Sequence, residues 1–145
     1  MSSPESLDSR LCFALYAAAR ATQQVYRPLL AALGLTYPQY LVMLVLWERD
    51  GLTVSEIGEQ LTLDSGTLTP LLKRLELHGL LVRKRSASDE REVHLALTPA
   101  GCALREQVLP LKNQLLCERG IDLDQVTALR SQVGVLLDQF MALNH

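Results

Sequence analysis

Cysteine is scarce in this 145-residue sequence, and the few there are follow no pattern. Three cannot all pair within one chain, and Cys12, Cys102 and Cys117 form no C-x-x-C. A disulfide-stapled secreted scaffold and a paired-cysteine zinc site are therefore both excluded, and nothing calls for a metal or another cofactor. Glycine (8) and proline (6) are sparse while leucine fills 32 positions, which disfavours a turn-rich β-sandwich and favours helices. Long apolar runs are missing too: the longest, Tyr40 to Trp47, is eight residues, and a bilayer span needs about 20. The N-terminal MSSPESLDSR is polar and carries acids, unlike a secretory leader. The expectation is a single cytoplasmic domain with no membrane contact. An excess of positive charge is also lacking. The net charge is −2 and the pI about 5.9, whereas nucleic-acid-binding domains often lie above ~9.

What the sequence does contain is helical periodicity. From Leu7, the apolar positions Leu11, Leu15, Ala18, Val25 and Leu29 recur at helical spacing, predicting an amphipathic helix bent near Pro28 and stopped at Gly34. Thr36-Tyr-Pro-Gln39 and Thr53-Val-Ser-Glu56 have the capping-box spacing. The first opens an apolar helix through Trp47, and the second a short helix ending near Leu61, with Asp50-Gly51 as a turn between them. After a break at 62–66, the pattern predicts a helix from Thr67 to His78, closed by Gly79, with Pro70 best suited to a first turn. Val93, Leu95 and Leu97 alternate with Glu92, His94 and Ala96, so 80–85 and 92–97 read as a two-stranded hairpin with a polar tip from Ser86 to Arg91. Thr98-Pro99 starts a helix towards Glu118, with a bend expected at Pro110. Asp122 to Gln125 caps a last helix whose Leu123, Val126, Leu129, Val133, Leu136, Leu137 and Phe140 form one stripe. The fold class is mainly α with a small β-hairpin wing: a winged helix-turn-helix with N- and C-terminal helical arms.

The segment from Thr53 to His78 has the layout of a DNA-reading helix-turn-helix. Ser65, Thr67 and Thr69 are small and hydrogen-bonding, able to approach base edges and phosphates; Asp64 at the break is counted with them. Lys73 and Arg74 suit backbone phosphates, and the hairpin adds Arg83, Lys84, Arg85 and, at its tip, Arg91. Residues 65–91 hold six Lys/Arg and three Asp/Glu, a local +3 that leaves −5 for the remainder. The overall charge is thus an average over unlike regions. Polar helix starts and mixed charge runs also occur as plain solvated surface, so composition alone leaves both readings open.

Asp89-Glu-Arg91, then five residues, then Leu97-Thr-Pro-Ala-Gly101, resembles the D-x-R-x5-L-T-x-x-G signature of the MarR family. The resemblance covers almost the whole chain. It implies a dimeric winged helix-turn-helix transcription regulator bound to double-stranded operator DNA, with the helix from Ser65 in the major groove and the wing with Arg91 in the minor groove. In that frame 1–145 is a single domain of the family, 7–35 and 98–145 are helical dimerisation arms, and 36–97 is the DNA-binding lobe.

All four tyrosines, Tyr16, Tyr26, Tyr37 and Tyr40, lie in the first 40 residues, near Cys12. Cys12 and Tyr16 are four apart on one helix and share a face. A free cysteine is often a small buried apolar residue, and tyrosines often only pack. The strings Leu11-Cys-Phe-Ala-Leu-Tyr16, Tyr26-Arg-Pro-Leu-Leu30, Leu35-Thr-Tyr-Pro-Gln-Tyr40 and Leu63-Asp-Ser-Gly-Thr-Leu-Thr-Pro70 resemble the OhrR branch of the family. That resemblance implies a repressor of organic hydroperoxide responses, with Cys12 as sensing thiol, Tyr26 and Tyr37 as hydrogen-bond donors to its sulfur, and Tyr16 as a third pocket tyrosine. It further implies oxidation of Cys12 to sulfenic acid, capture by Cys117 of the other subunit as a disulfide, and release of DNA; it does not imply an enzyme. Cys102 matches no functional position and is taken as structural. Two alternatives would use the same residues differently: a repressor of this family released by a lipophilic or phenolic ligand, and a thiol peroxidase. The peroxidase lacks support from any βαβ pattern.

Overall fold

The computed structural model describes residue 6 and residues 10–89 and 91–144; Leu7, the expected first turn of the N-terminal helix, and Glu90 of the hairpin tip lie outside them. Among the described residues there are six helices and two strands: α1 (Leu11–Ala32), α2 (Tyr37–Glu48), α3 (Val54–Leu61), α4 (Ser65–Leu77), β1 (Leu81–Arg85), β2 (Val93–Leu97), α5 (Pro99–Glu118) and α6 (Leu123–Leu143). They form two compact units, 1–107 and 108–145, and α5 runs from the first into the second.

The first unit is built around α2. Gln39, Tyr40, Val42, Met43, Val45 and Leu46 are all buried, so this helix is apolar on every side and packs on α1, α3, α4 and β2. Its start is fixed by the expected capping box: the Thr36 side chain accepts from the Gln39 N–H, and the Gln39 side chain accepts from the Thr36 N–H. The second box repeats this between Thr53 and Glu56. α1 and α2 are bent by 77° across their connection, and no single helix among the described residues is long and apolar enough to cross a membrane.

α3 and α4 meet at a tight turn, and two residues make it possible. Thr62 holds a left-handed backbone (φ 54°), the one non-glycine among the described residues to do so. Gly58 lets that turn lie against α3, since a Cβ there would come 2.8 Å from the Leu63 carbonyl oxygen. α4 begins at Ser65, two residues before the expected Thr67, because Asp64 caps it by accepting from the Thr67 N–H at 2.7 Å. Pro70 consequently sits inside the helix rather than in its first turn.

β1 and β2 pair antiparallel, Leu81 with Leu97 through Arg85 with Val93. The other edge of β2 is covered as well: the Leu95 N–H donates to the Leu52 carbonyl at 2.8 Å, and Thr53 bridges His94. Buried Leu81 and Leu95 turn towards the core on the same face of the hairpin. A three-helix core, a helix-turn-helix and a wing make this a winged helix-turn-helix.

The second unit has a different character. Asp122 caps α6 as expected, accepting from Asp124 and Gln125, but no α6 residue is buried. Leu123, Val126, Leu129, Val133, Leu137 and Phe140 of the expected stripe are exposed. The α1 stripe is similar: Leu11 is exposed, Leu15, Val25 and Leu29 are half-buried, and only Leu30 of that helix is buried. Among the described residues these amphipathic faces are largely left exposed.

Candidate nucleic-acid interface and cysteine–tyrosine site

The helix α4 buries Leu68, Leu72 and Leu75 and turns Ser65, Thr67, Lys73 and Arg74 outward. Two of its small polar residues have local duties. Asp64 is the cap, and hydrogen bonds from the Thr67 backbone and side chain hold its carboxyl below the usual carboxylate range. The Thr69 hydroxyl donates to the Ser65 carbonyl at 2.7 Å, so what it can still offer a base edge is its lone pairs.

The basic hairpin residues separate by face. Strand alternation puts Arg83 and Arg85 on one side, beside Glu76 and Val93, and Lys84 on the other, opposite His94. Glu76 of α4, which the sequence reading missed, ties that helix to the wing: its carboxylate accepts from the Arg83 N–H at 3.1 Å and from Arg83 Nε at 3.3 Å. At the tip, Asp89 accepts from the Arg91 N–H at 3.0 Å, an Asx turn that sets where Arg91 leaves the wing. The first acid of the signature is therefore a turn former.

The second half of the signature is a knot at the wing's base. Thr98 donates its hydroxyl to the Gly79 carbonyl at 2.5 Å and its N–H to the Leu80 carbonyl at 3.1 Å, and its side chain accepts from the Gly101 N–H at 3.1 Å. A Cβ on Gly101 would come 2.1 Å from the Leu80 carbonyl oxygen, so only glycine fits. Asp50 adds a tether by accepting from the Leu97 N–H at 2.9 Å. His94 accepts its neighbours' influence from the same corner. Its pairing with the Gly51 carbonyl, helped by Glu92 and then Glu56, raises its pKa above 6.5.

Three tyrosines come together at the corner of α1 and α2. The rings of Tyr26, Tyr37 and Tyr40 lie 6.1 Å apart in every pairing, and Tyr40 continues edge-on to Trp47 at 6.5 Å. Burial, then the charge of neighbouring phenolates, pushes Tyr40 up to about 12 and also raises Tyr26. Tyr40, the third ring, was missed as a site residue although it follows Tyr37 at the i+3 spacing that places two side chains together on a helix. Tyr16 stands apart, 60% exposed with Arg20 over its ring at 5.6 Å. Cys12 is exposed near the start of α1, and none of the hydrogen bonds among the described residues involves its sulfur. Cys117 is exposed at the C-terminal end of α5, and Cys102 is exposed near its beginning.

A winged helix-turn-helix with a basic cluster on α4 and the wing is the fold of the MarR-like transcriptional regulators, and the chain belongs to that family. The family model described as transcriptional regulator SarA/Rot matches residues 24–107. Within that class the chain is similar to the organic hydroperoxide resistance transcriptional regulator of Bacillus subtilis, 49% identical over 135 residues, covering 91% of this chain and 90% of the relative. It is 52% identical over 139 residues to the HTH-type transcriptional regulator TtmR of Methylorubrum extorquens, covering 96% of this chain and 71% of that protein. Among solved structures it resembles AbfR of Staphylococcus epidermidis at 36% identity. The reduced, DNA-bound form superposes with a TM-score of 0.83 over 93% of this chain and 94% of AbfR. The disulfide-formed AbfR gives 0.68 over 93% and 92%.

Proposed function

We propose that the chain is a homodimeric repressor that holds double-stranded operator DNA with α4 and the wing and releases it when an organic hydroperoxide oxidises Cys12. The carrying observation is the placement of an exposed thiol and a phenol cluster towards opposite ends of one continuous helix. Fourteen residues separate Cys12 from Tyr26, which at ~1.5 Å per residue is about 21 Å, while the same spacing returns to nearly the same azimuth. Tyr26 of the same protomer cannot reach the sulfur across that length. Two copies with antiparallel α1 helices would bring Cys12 of one to Tyr26 and Tyr37 of the other, and the uncovered faces of α1 and α6 are the surfaces such a dimer would use. In this arrangement 7–35 and 98–145 act as the dimerisation arms and 36–97 as the DNA-binding lobe.

The residue types suit the reaction. Phenol O–H groups stabilise a thiolate without supplying a competing base, and Tyr16, one turn from Cys12, adds a third ring to the pocket. The thiolate attacks the terminal peroxide oxygen, an S–O bond forms, the O–O bond breaks, and the alkoxide leaves to be protonated to the alcohol. The resulting sulfenic acid is then attacked by the partner subunit's Cys117, forming a disulfide and releasing water. Drawing those residues within the ~7 Å Cα separation of a disulfide shifts the two reading helices relative to their half-sites. The names of the Bacillus relative and of the reduced and disulfide-formed AbfR structures support this reading.

The DNA side assigns Ser65, Thr67 and Thr69 to bases and nearby phosphates, with Asp64 fixing their helix start. Lys73, Arg74, Arg83, Lys84 and Arg85 take phosphates, and Arg91 the minor groove. The test is an operator-shift titration with cumene hydroperoxide followed by dithiothreitol. Wild type should release DNA and recover, Cys12→Ser should never release, and Cys117→Ser, which can form no covalent dimer on a non-reducing gel, should release more slowly or thiol-irreversibly as Cys12 passes to its higher oxides. Release by Cys12→Ser would remove the sensor. Arg91→Ala should lower the slope of log affinity against log salt by about one if Arg91 holds one phosphate charge.

A further inference from the structure

We propose that the cavity between the C-terminal half of α1 and the start of α2 receives a carboxylate, so that Arg27 selects acidic organic hydroperoxides over neutral ones. The proposal rests on the sensing function proposed above and names its substrate class. The cavity has a volume of about 240 Å3. Leu30 and Leu35, both buried, and Pro38 give it an apolar wall, and Gln23 and Arg27, one helical turn apart, give it a polar rim. Arg27 is its one cationic lining residue, no Asp or Glu lines it, and Arg27 makes no ion pair among the described residues. The Thr36 hydroxyl oxygen accepts from the Gln39 N–H in the α2 capping box, and Arg27 is the one charged donor at the rim.

Tyr37 connects this cavity to the reaction, because it lines the cavity and also belongs to the phenol cluster. A molecule anchored at Arg27 lies against Tyr37, whose ring is 6.1 Å from that of Tyr26 just outside the lining. The volume equals roughly eight waters at about 30 Å3 each, room for a carboxylate and a short length of chain. A medium-chain hydroperoxy acid fits that division, with its head on the guanidinium and its peroxide carried to the phenols and the partner subunit's Cys12. A neutral hydroperoxide has only the apolar wall. The chemistry at sulfur is unchanged: the peroxide is reduced by two electrons to the alcohol as the thiolate becomes sulfenic acid. Arg27 acts by holding the peroxide in place, which raises the rate of a step whose bond changes it does not touch.

The experiment compares one medium-chain hydroperoxy acid with its methyl ester, which removes the charge and little else. The readout is the rate of Cys12 sulfenate formation by mass spectrometry, alongside operator release by fluorescence anisotropy. Wild type should react with the acid at least roughly tenfold faster than with the ester, the worth of one charge-assisted hydrogen bond. Arg27→Gln should bring the acid down to the ester's rate without changing the ester's, and Arg27→Lys should restore part of the preference. Equal rates for acid and ester in wild type, or an equal fall for both in Arg27→Gln, would overturn the assignment. If cumene hydroperoxide, acid and ester all leave wild-type Cys12 unoxidised, the sensing reading fails and takes this one with it.

Discussion

Trp47 and Gly101 stand 54 residues apart and are joined by one hydrogen bond, from the indole N–H to the glycine carbonyl at 2.9 Å. The bond ties the end of α2 to the start of α5 at the point where the wing returns to the body. Its acceptor belongs to a residue that cannot carry a side chain. The Leu80 oxygen that a Cβ would meet is itself fixed by the Thr98 N–H.

Gly101→Ala should therefore cost about 3 kcal/mol or more, the upper end of overpacking penalties, because the obstacle is backbone rather than a flexible side chain. Urea denaturation monitored by Trp47 fluorescence measures it. A loss under ~0.5 kcal/mol would mean that α5 slides freely past Leu80.

Asp64 should be replaceable by residues that accept a hydrogen bond and by no others. Asp64→Ala should lower the melting temperature and weaken operator binding together, since the fraying turn carries Ser65 and Thr67, whereas Asp64→Asn and Asp64→Ser should recover most of both. Its carboxyl is held below 3.8 in the fold, so the cap's contribution is complete above that pH and is lost as pH falls through the lowered value. In Asp64→Asn this acid-side slope should disappear.

At neutral pH the sensitive group is His94. Because the fold raises its pKa above 6.5, its stabilising effect is complete below 6.5 and fades as pH rises through the raised value. Stability from denaturation curves should fall across that window in wild type, and His94→Gln should flatten the fall. An unchanged slope in the variant would show that another group is responsible.

The tyrosine cluster should report itself at alkaline pH. Tyr40 ionises only near 12 in the fold against 10.0 ordinarily, so its contribution is intact below 10 and disappears as pH climbs through about 12. Tyrosinate absorbance should show a late step that Tyr40→Phe removes. Tyr26 should titrate earlier in Tyr37→Phe, because the Tyr37 phenolate is the neighbouring charge that raises it.

Local chemistry was readable from the chain and distant chemistry was not. The capping boxes at Thr36 and Thr53, the Asp122 cap and the alternation through Val93, Leu95 and Leu97 depend on residues within one turn or one strand, and the structure repeats them. The start of α4 shifted because Pro70 suggested a first turn, while Asp64 three residues before Thr67 already supplied a cap. Glu76 was invisible as a partner of Arg83, since nothing in a helix pattern says which later strand will cross its end. Tyr40 looked like core, and it is core; only packing shows that it is also the ring linking Tyr26 and Tyr37 to Trp47.

If a second copy covers the bare stripe of α6, stability becomes a matter of mass action. A helix with no buried residue gains little from its own chain, so its order depends on whatever covers it. With a second copy as the cover, unfolding and dissociation become one equilibrium, and the melting temperature rises with protein concentration. The cell's supply of the protein then sets how much of it is folded as well as how many operators it fills. Dilution would then weaken this regulator twice.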